Sequence, residues 1–148
     1  MLGLKIAWLL LALANTDPTM DFTATYEANP DADTVVLNVE FVPEVEFKNT
    51  AFDLYGVVAP SIDGACEHER QTTRAARREM EDFLTRPNQR LILNFSGEVR
   101  QTENDIVPLV YIAALDETGR EDLATHLLDL GLVRHPDVPG TQWCIGEP

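Results

Sequence analysis

The chain has 148 residues, of which 45% are apolar and 24% are charged. This length favours a single domain, and this apolar fraction suffices for a packed core and argues against a disordered chain. The 25 acidic and 11 basic residues give a formal net charge of −14. That charge argues against nucleic-acid binding, because nucleic-acid-binding proteins present basic surfaces that neutralise phosphates.

The first 20 residues have the pattern of a secretory signal. Lys5 precedes an unbroken apolar run over residues 6–14, which ends in the small-x-small sequence Ala12-Leu-Ala14. The run is too short to span a bilayer, which needs about 20 apolar residues. We therefore expect export to a periplasm or the extracellular space, with membrane contact only if the segment is retained. There are two alternatives: the segment is an ordinary N-terminal helix, or translation starts at Met20. In either case the protein would be cytoplasmic.

Residues 35–58 show the period-two alternation of β-strands. Val35, Leu37, Val39 and Phe41 share one face of a strand over residues 35–41. Residues 42–47 continue or re-enter a strand, in which Pro43 indicates an edge, a bend or a bulge. The sequence further predicts a turn at residues 48–50 and a third strand over residues 51–58, before a loop.

A first helix is predicted over residues 67–84. Ala76, Met80, Phe83 and Leu84 follow the spacing of an amphipathic helix, and Pro87 stops it. The helix carries four arginines interleaved with glutamates; the arginines are Arg70, Arg74, Arg77 and Arg78. We interpret them as a solvated helix face with i,i+4 ion pairs.

The sequence of the second half of the chain predicts three strand segments and a helix. The strands are predicted over residues 89–95, 99–103 and 106–114, with a kink at Ser96-Gly97 and a hairpin around Asn104-Asp105. Residues 116–120 form a polar loop, and residues 121–130 a second helix with Gly131 at its C-cap. The proline-rich tail from His135 is predicted to be irregular.

The two cysteines, Cys66 and Cys144, make an even count behind a signal-like segment. We predict that they form one disulfide, which ties the C-terminal tail to the loop before the first helix. The alternative is a zinc site built from Cys66, His68, His135 and Cys144. Cys-x-His is not a usual ligand pair, which disfavours zinc.

Three segments of the chain resemble known signatures when they are taken in order. The first is Asp31-Ala-Asp-Thr34, and the second is Phe52-Asp-Leu-Tyr-Gly-Val-Val-Ala-Pro-Ser61. A predicted helix and hairpin follow, and then the ending Gly-Leu-Val-Arg134. In this order the chain resembles the staphylococcal nuclease-like (thermonuclease) family. The family signatures run D-G-D-T, R-L-x-G-I-D-A-P-E, D-x-Y-G-R and a helix closing in G-L-A. The resemblance covers residues 31–134, about two thirds of the chain. It implies a mainly β, α+β domain over residues 21–135, namely a five-stranded OB-like barrel of the staphylococcal nuclease type, followed by a tail over residues 136–148.

The resemblance also implies a chemistry that this sequence largely lacks. In the family, carboxylates hold a calcium ion, two arginines clamp the scissile phosphate and a glutamate activates or orients water. Asp31 and Asp33 keep the acidic pair of the first signature. The family's Arg, Asp, Glu and Arg are replaced by Asp53, Val58, Ser61 and Val107. Loss of one charge-stabilising donor typically costs about 100-fold or more in rate, so we expect no useful catalysis.

The expected function is that of a pseudo-enzyme. The domain would act as a binding or interaction module for a protein partner or small ligand whose identity the sequence does not give, without a cofactor. Asp31 and Asp33 are interpreted as a polar strand entry, with a weak calcium site as the alternative. Two other functions stay open: an active calcium-dependent nuclease with relocated residues, among them Arg100, Glu67 or Glu69, and a structural subunit of an envelope complex.

Overall fold

The computed structural model describes residues 20–137 and 143–144. The predictions for residues 1–19, including the signal segment, lie outside the described residues. Six strands and two helices occur in the described part: β1 Phe22–Ala28, β2 Thr34–Val42, β3 Val45–Leu54, α1 Glu67–Leu84, β4 Arg90–Gln101, β5 Ile106–Asp116, β6 Gly119–Asp122 and α2 Leu123–Asp129. Neither described helix is long and apolar enough to cross a membrane.

The strands form a closed barrel. Hydrogen-bonded neighbours run in the order β3-β2-β1-β4-β5-β6, and β3 also pairs in parallel with β5. The parallel pairing joins Asp53 to Leu109 and Leu54 to Val110, while every other pairing is antiparallel. Five strands thus close into a mixed barrel, and β6 extends it at β5. The prediction of a mainly β, OB-like fold with inserted helices is confirmed.

Alternating apolar side chains of the strands fill the barrel and meet one face of α1. Val35, Leu37 and Val39 of β2 are buried, as the period-two pattern predicts. The predicted stripe of α1 is also buried: Ala76, Met80, Phe83 and Leu84 are at most 4% exposed. Met80, Phe83 and Leu84 belong to the same core as the barrel residues, so α1 covers the barrel with its apolar face.

In the first third of the chain, the strand predicted over residues 35–41 is confirmed as β2, but two other assignments were wrong. Strand β1, residues 22–28, was missed. The predicted turn at residues 48–50 lies inside β3, where Asn49 has φ of +48° and the register with β2 shifts. Lys48-Asn49 therefore makes a β-bulge rather than a turn. The chain reverses instead at Pro43-Glu44, where Glu44 has φ of +74°.

Further element boundaries also differ from the predictions. The strand predicted over residues 51–58 ends at Leu54, and Val58 makes only an isolated bridge to Arg134. The predicted segments 89–95 and 99–103 are one strand, β4, whose register shifts at the predicted kink between Phe95 and Val99. The predicted polar loop at residues 116–120 turns into β6, which pairs with the end of β5.

The helix ends follow known capping rules. Helix α2 begins later than predicted, because Asp122 caps it by accepting a hydrogen bond from Thr125 N at 2.9 Å. After α2, Gly131 N donates to Leu128 O and Leu132 N donates to Leu127 O, both at 3.0 Å. With Gly131 at φ of +70°, this is a Schellman ending, which the sequence predicted at this glycine.

The described part of the tail is fixed to the domain by a disulfide. Cys66, the residue before α1, is bonded to Cys144 with Cα atoms 5.8 Å apart. The disulfide prediction is therefore confirmed, and the zinc alternative is wrong because both thiols are consumed. The neighbouring Trp143 is buried, and the Arg134 guanidinium lies 4.1 Å from the centre of its indole ring. The tail thus packs against the segment that follows α2.

Candidate functional site

A cleft of about 460 Å³ opens where β3 leaves its pairing with β5. We call it the Asp53 cleft. Its wall includes residues from β3, β4 and the segment after α2, among them Asp53, Tyr55, Glu98, Arg100 and Pro136. Asp33, from the residue just before β2, completes the acidic side of the cleft. The cleft therefore contains three carboxylates, and Arg100 is the one basic residue among the described residues that line it.

Asp53 is the buried charge of this cleft, with an exposed fraction of 1%. Its Oδ1 accepts a hydrogen bond from Thr34 Oγ1 at 2.7 Å. Its Oδ2 lies 2.5 Å from Arg100 Nη2, but in the described structure this oxygen accepts no hydrogen bond of good geometry. We therefore regard the Arg100 contact as an ion pair. Burial raises the pKa of Asp53, and the Thr34 hydrogen bond and the Arg100 charge oppose that rise.

Asp33 is another carboxylate of the cleft, and it is partly buried. Its backbone oxygen accepts a hydrogen bond from Leu54 N at 2.8 Å, which fixes the start of β2 against the end of β3. Burial raises the pKa of Asp33 to about 6, and the negative charges of Asp53 and Asp31 add to the rise. Arg100 acts in the opposite direction. Asp33 consequently changes its charge within about one pH unit of neutral pH.

Asp31 lies beside this pair but is held locally. Its Oδ1 accepts a hydrogen bond from the next backbone amide, Ala32 N, at 2.8 Å. Within residues 20–137 and 143–144, no three His, Cys, Asp or Glu side chains are grouped as a metal ion would require. The calcium site at Asp31 and Asp33 stays a hypothesis based on the resemblance, with only these two carboxylates as its protein ligands.

The four degenerate positions are not gathered in one place. Asp53 lies in the cleft, whereas Val58 follows it in the loop and exchanges backbone hydrogen bonds of 2.7 and 2.9 Å with Arg134. Ser61 is exposed, and its backbone amide donates to Glu69 Oε2 at 3.0 Å. Val107 is 6% exposed on β5, directly opposite Arg100 in the β4–β5 register.

The sequence analysis missed two features of the site. The first is the ion pair of Arg100 with Asp53, which the β4–β5 hairpin makes possible. Counting back from the Asn104-Asp105 turn pairs Arg100 with Val107, so the register contained the signal. The second is the tyrosine pair of Tyr55 and Tyr111, whose ring centres lie 5.1 Å apart. No sequence spacing predicts that contact, because it depends on the parallel β3–β5 closure.

A scan against protein-family models found no match, and a search of the curated proteins also found none. The function must therefore be argued from the geometry of the cleft and from the residues that form it.

Proposed function

We propose that this protein is a thermonuclease-like OB barrel that has lost nuclease activity and acts as a binding module. The observation that carries the proposal is the placement of Asp53. At the position where the resemblance predicts a phosphate-clamping arginine, a buried carboxylate faces the cleft and pairs with Arg100. The guanidinium that shares the cleft with Asp33, a candidate metal carboxylate, is thereby neutralised.

The charge of the cleft disfavours a phosphodiester. A phosphoryl group gains negative charge as it reacts, so a nuclease must place cations beside it. Asp33, Asp53 and Glu98 set three carboxylates against the single guanidinium of Arg100 among the described lining residues. With a net charge of −14, the whole molecule also repels polyanions at long range. A neutral or cationic group suits the cleft better, and Tyr55 offers it an aromatic surface.

A second candidate is an active nuclease with a relocated arginine. Arg100 lies opposite Val107, the position of the family's second arginine, and shares the cleft with Asp33. In this scheme Arg100 would leave Asp53 to clamp the phosphate. The scheme requires a bound cation to compensate Asp53, whose buried charge would otherwise lose its partner.

The deciding experiment is a nuclease assay of the full chain with calcium, on single-stranded DNA and on RNA. We expect no cleavage above the buffer control, and no recovery in Asp53→Arg, because the second clamp, the metal carboxylate and the glutamate stay absent. The matched control is a fourfold variant, Asp53→Arg with Val58→Asp, Ser61→Glu and Val107→Arg, checked for folding by circular dichroism. Recovery of weak activity in that variant would support the family relationship.

Arg100→Gln separates the two candidates. If Arg100 only neutralises Asp53, the variant loses stability by about 1–3 kcal/mol, since one buried carboxylate loses its counterion at a half-exposed site. The nuclease activity of the variant should equal that of the native protein. If the native protein cleaves nucleic acid, and both chelation and Arg100→Gln or Asp33→Ala abolish that cleavage, the relocated nuclease is correct and the binding-module proposal is wrong.

A further inference from the structure

A second groove, of about 630 Å³, lies between the end of β1 and α1. We call it the Arg77 groove. Tyr26, Asn29 and Pro30 form its strand side, and Arg74, Arg77 and Arg78 of α1 form its helix side. It shares no lining residue with the Asp53 cleft. In a chain with a net charge of −14, a groove lined by three arginines is an unexpected concentration of positive charge.

Arg77 is held in place by a buried polar residue. Asn29, 8% exposed, donates from Nδ2 to Arg77 O at 2.8 Å and accepts at its own backbone oxygen from Arg77 Nε at 3.2 Å. Asn29 Oδ1 in turn accepts the hydroxyl hydrogen bond of Tyr26. Because Nε of Arg77 is occupied, the two terminal nitrogens of the guanidinium are the donors left for a further partner. A fixed guanidinium loses little entropy on binding an oxyanion.

The other two arginines differ in how far they are neutralised. Arg74 Nη2 lies 2.8 Å from Glu67 Oε1, so its charge is already paired. Arg78 is exposed and forms no ion pair within the described part of the chain. The prediction of i,i+4 ion pairs on a solvated face is therefore met only in part: Arg70 and Arg74 pair with Glu67, but at i,i+3 and i,i+7, while Arg77 and Arg78 form no ion pair within the described residues.

Two carboxylates also line the groove, Glu27 and Glu81. They limit the negative charge that the groove tolerates and favour a compact group over an extended polyanion. Burial raises the pKa of Tyr26, the Glu81 charge adds to that rise, and the Arg77 charge opposes it. Tyr26 thus stays a neutral hydroxyl, and the net charge of the lining residues is positive.

The geometry points to an oxyanion site in the Arg77 groove, in which Arg77 and Arg78 bind the carboxylate or phosphate group of a small ligand. A planar guanidinium with two free terminal nitrogens pairs with two oxygens of either group through parallel, charge-assisted hydrogen bonds. This site goes beyond the proposed function and does not depend on it. The net charge of the residues that line this groove is positive, whereas that of the residues that line the Asp53 cleft is negative. One domain would therefore present an acidic and a basic binding surface.

The test is a titration of the full-length ¹⁵N-labelled protein with inorganic phosphate, and separately with acetate, at constant ionic strength. We expect saturable shifts of the Arg77 Nε–Hε and Asn29 side-chain signals. Arg78→Gln, at an exposed position, should weaken binding about tenfold without affecting the fold. Arg77→Lys keeps the charge but loses the planar fork, and should also weaken it. Glu81→Gln should bind more tightly, because a repulsive charge is removed.

Arg90→Gln is the matched control, since Arg90 is an exposed arginine that lines neither cleft. The same loss of one positive charge there should leave the titration unchanged. Saturation by phosphate alone or by acetate alone identifies the preferred oxyanion and supports the site. Shifts that do not saturate with either ion, or that weaken equally in Arg78→Gln and Arg90→Gln, overturn the proposal. A nuclease assay has no bearing on this result.

Discussion

Asp33 and Asp53 lower the stability of the domain, because they place two carboxylates with raised pKa values in one cleft. Asp53 is buried and Asp33 is partly buried, burial raises the pKa of both, and the Asp53 charge raises the pKa of Asp33 further. A core designed for stability alone would not place them together in a cleft where, among the described lining residues, Arg100 carries the one guanidinium. Such an arrangement is typical of functional sites, where a charge pattern that binds a ligand lowers the stability of the fold.

The first prediction concerns Asp33→Asn. The folded pKa of Asp33, about 6, is above its ordinary value of 3.8, so the folded protein holds this proton more tightly than the unfolded chain does. Stability therefore falls as pH rises from about 4 to 6, and the loss is complete above that window. Asn removes the charge, so we expect it to raise the free energy of unfolding by up to about 3 kcal/mol at pH 8 and by little at pH 4.

Urea unfolding from pH 4 to pH 8 measures this difference. Asp63→Asn is the control, because Asp63 is exposed and its side chain makes no hydrogen bond or ion pair in the described structure. A constant effect of Asp33→Asn at all pH values would mean that the pKa of Asp33 is not raised, and that the variant acts through packing instead.

The residues of the site were only partly predictable. Asp33 and Asp53 were identified because the resemblance assigns roles to their positions. Arg100 was named only for the relocated-nuclease alternative, and its pairing with Asp53 was not predicted. Glu98 and Tyr55 enter the cleft through strand register and barrel closure, which depend on contacts between residues distant in sequence. The arginines of α1 show the same limit. Their spacing predicted pairing with neighbouring glutamates, but the Arg77–Asn29 hydrogen bonds join residues 48 positions apart.

At the scale of elements, the periodic patterns of apolar residues predicted which faces of the helices and strands are buried. The stripe of α1, the alternation of β2 and the Gly131 ending of α2 depend on local sequence and were predicted. β1 was missed because only Phe22 and Ala24 of its seven residues are buried, and so short an alternation does not by itself indicate a strand. The turn at Lys48-Asn49 was wrong because a left-handed Asn also suits a bulge, and local sequence alone does not distinguish the two.

The disulfide is a covalent link between two segments that are far apart in the sequence. It joins residues 78 apart, from the start of α1 to the tail. In the loop-closure model, a bond over a loop of this length contributes about 4 kcal/mol by restricting the unfolded chain. We predict that the double variant Cys66→Ser, Cys144→Ser loses about this much free energy of unfolding and keeps the barrel.

Urea unfolding of the variant and of the native protein, each with and without reductant, measures the effect. Reduced native protein should unfold at the same urea concentration as the double variant, while reductant should leave the variant unchanged. A loss below about 1 kcal/mol would contradict the loop-closure estimate. It would indicate that the unfolded chain is already compact without the bond.

The whole molecule carries its charge unevenly. The net charge is −14, yet five ion pairs of arginine with acidic residues occur in the described part, and the Arg77 groove gathers three arginines. Most of these pairs are at the surface, where such pairs contribute little. Repulsion among the unpaired carboxylates should therefore outweigh attraction at neutral pH.

The last prediction follows from that balance. Added sodium chloride shortens the range of the repulsion, with a Debye length that falls from about 30 Å at 0.01 M to about 8 Å at 0.15 M. We expect the protein to be stabilised by about 1 kcal/mol at pH 7 over this range, seen as a rise of roughly 3 °C in the melting temperature. Near pH 4.4, the isoelectric point, the net charge vanishes and the rise should vanish with it. Calorimetry at both pH values measures the difference. A melting temperature that falls with salt at pH 7 would show that the ion pairs, and not the excess of carboxylates, dominate the electrostatics of this fold.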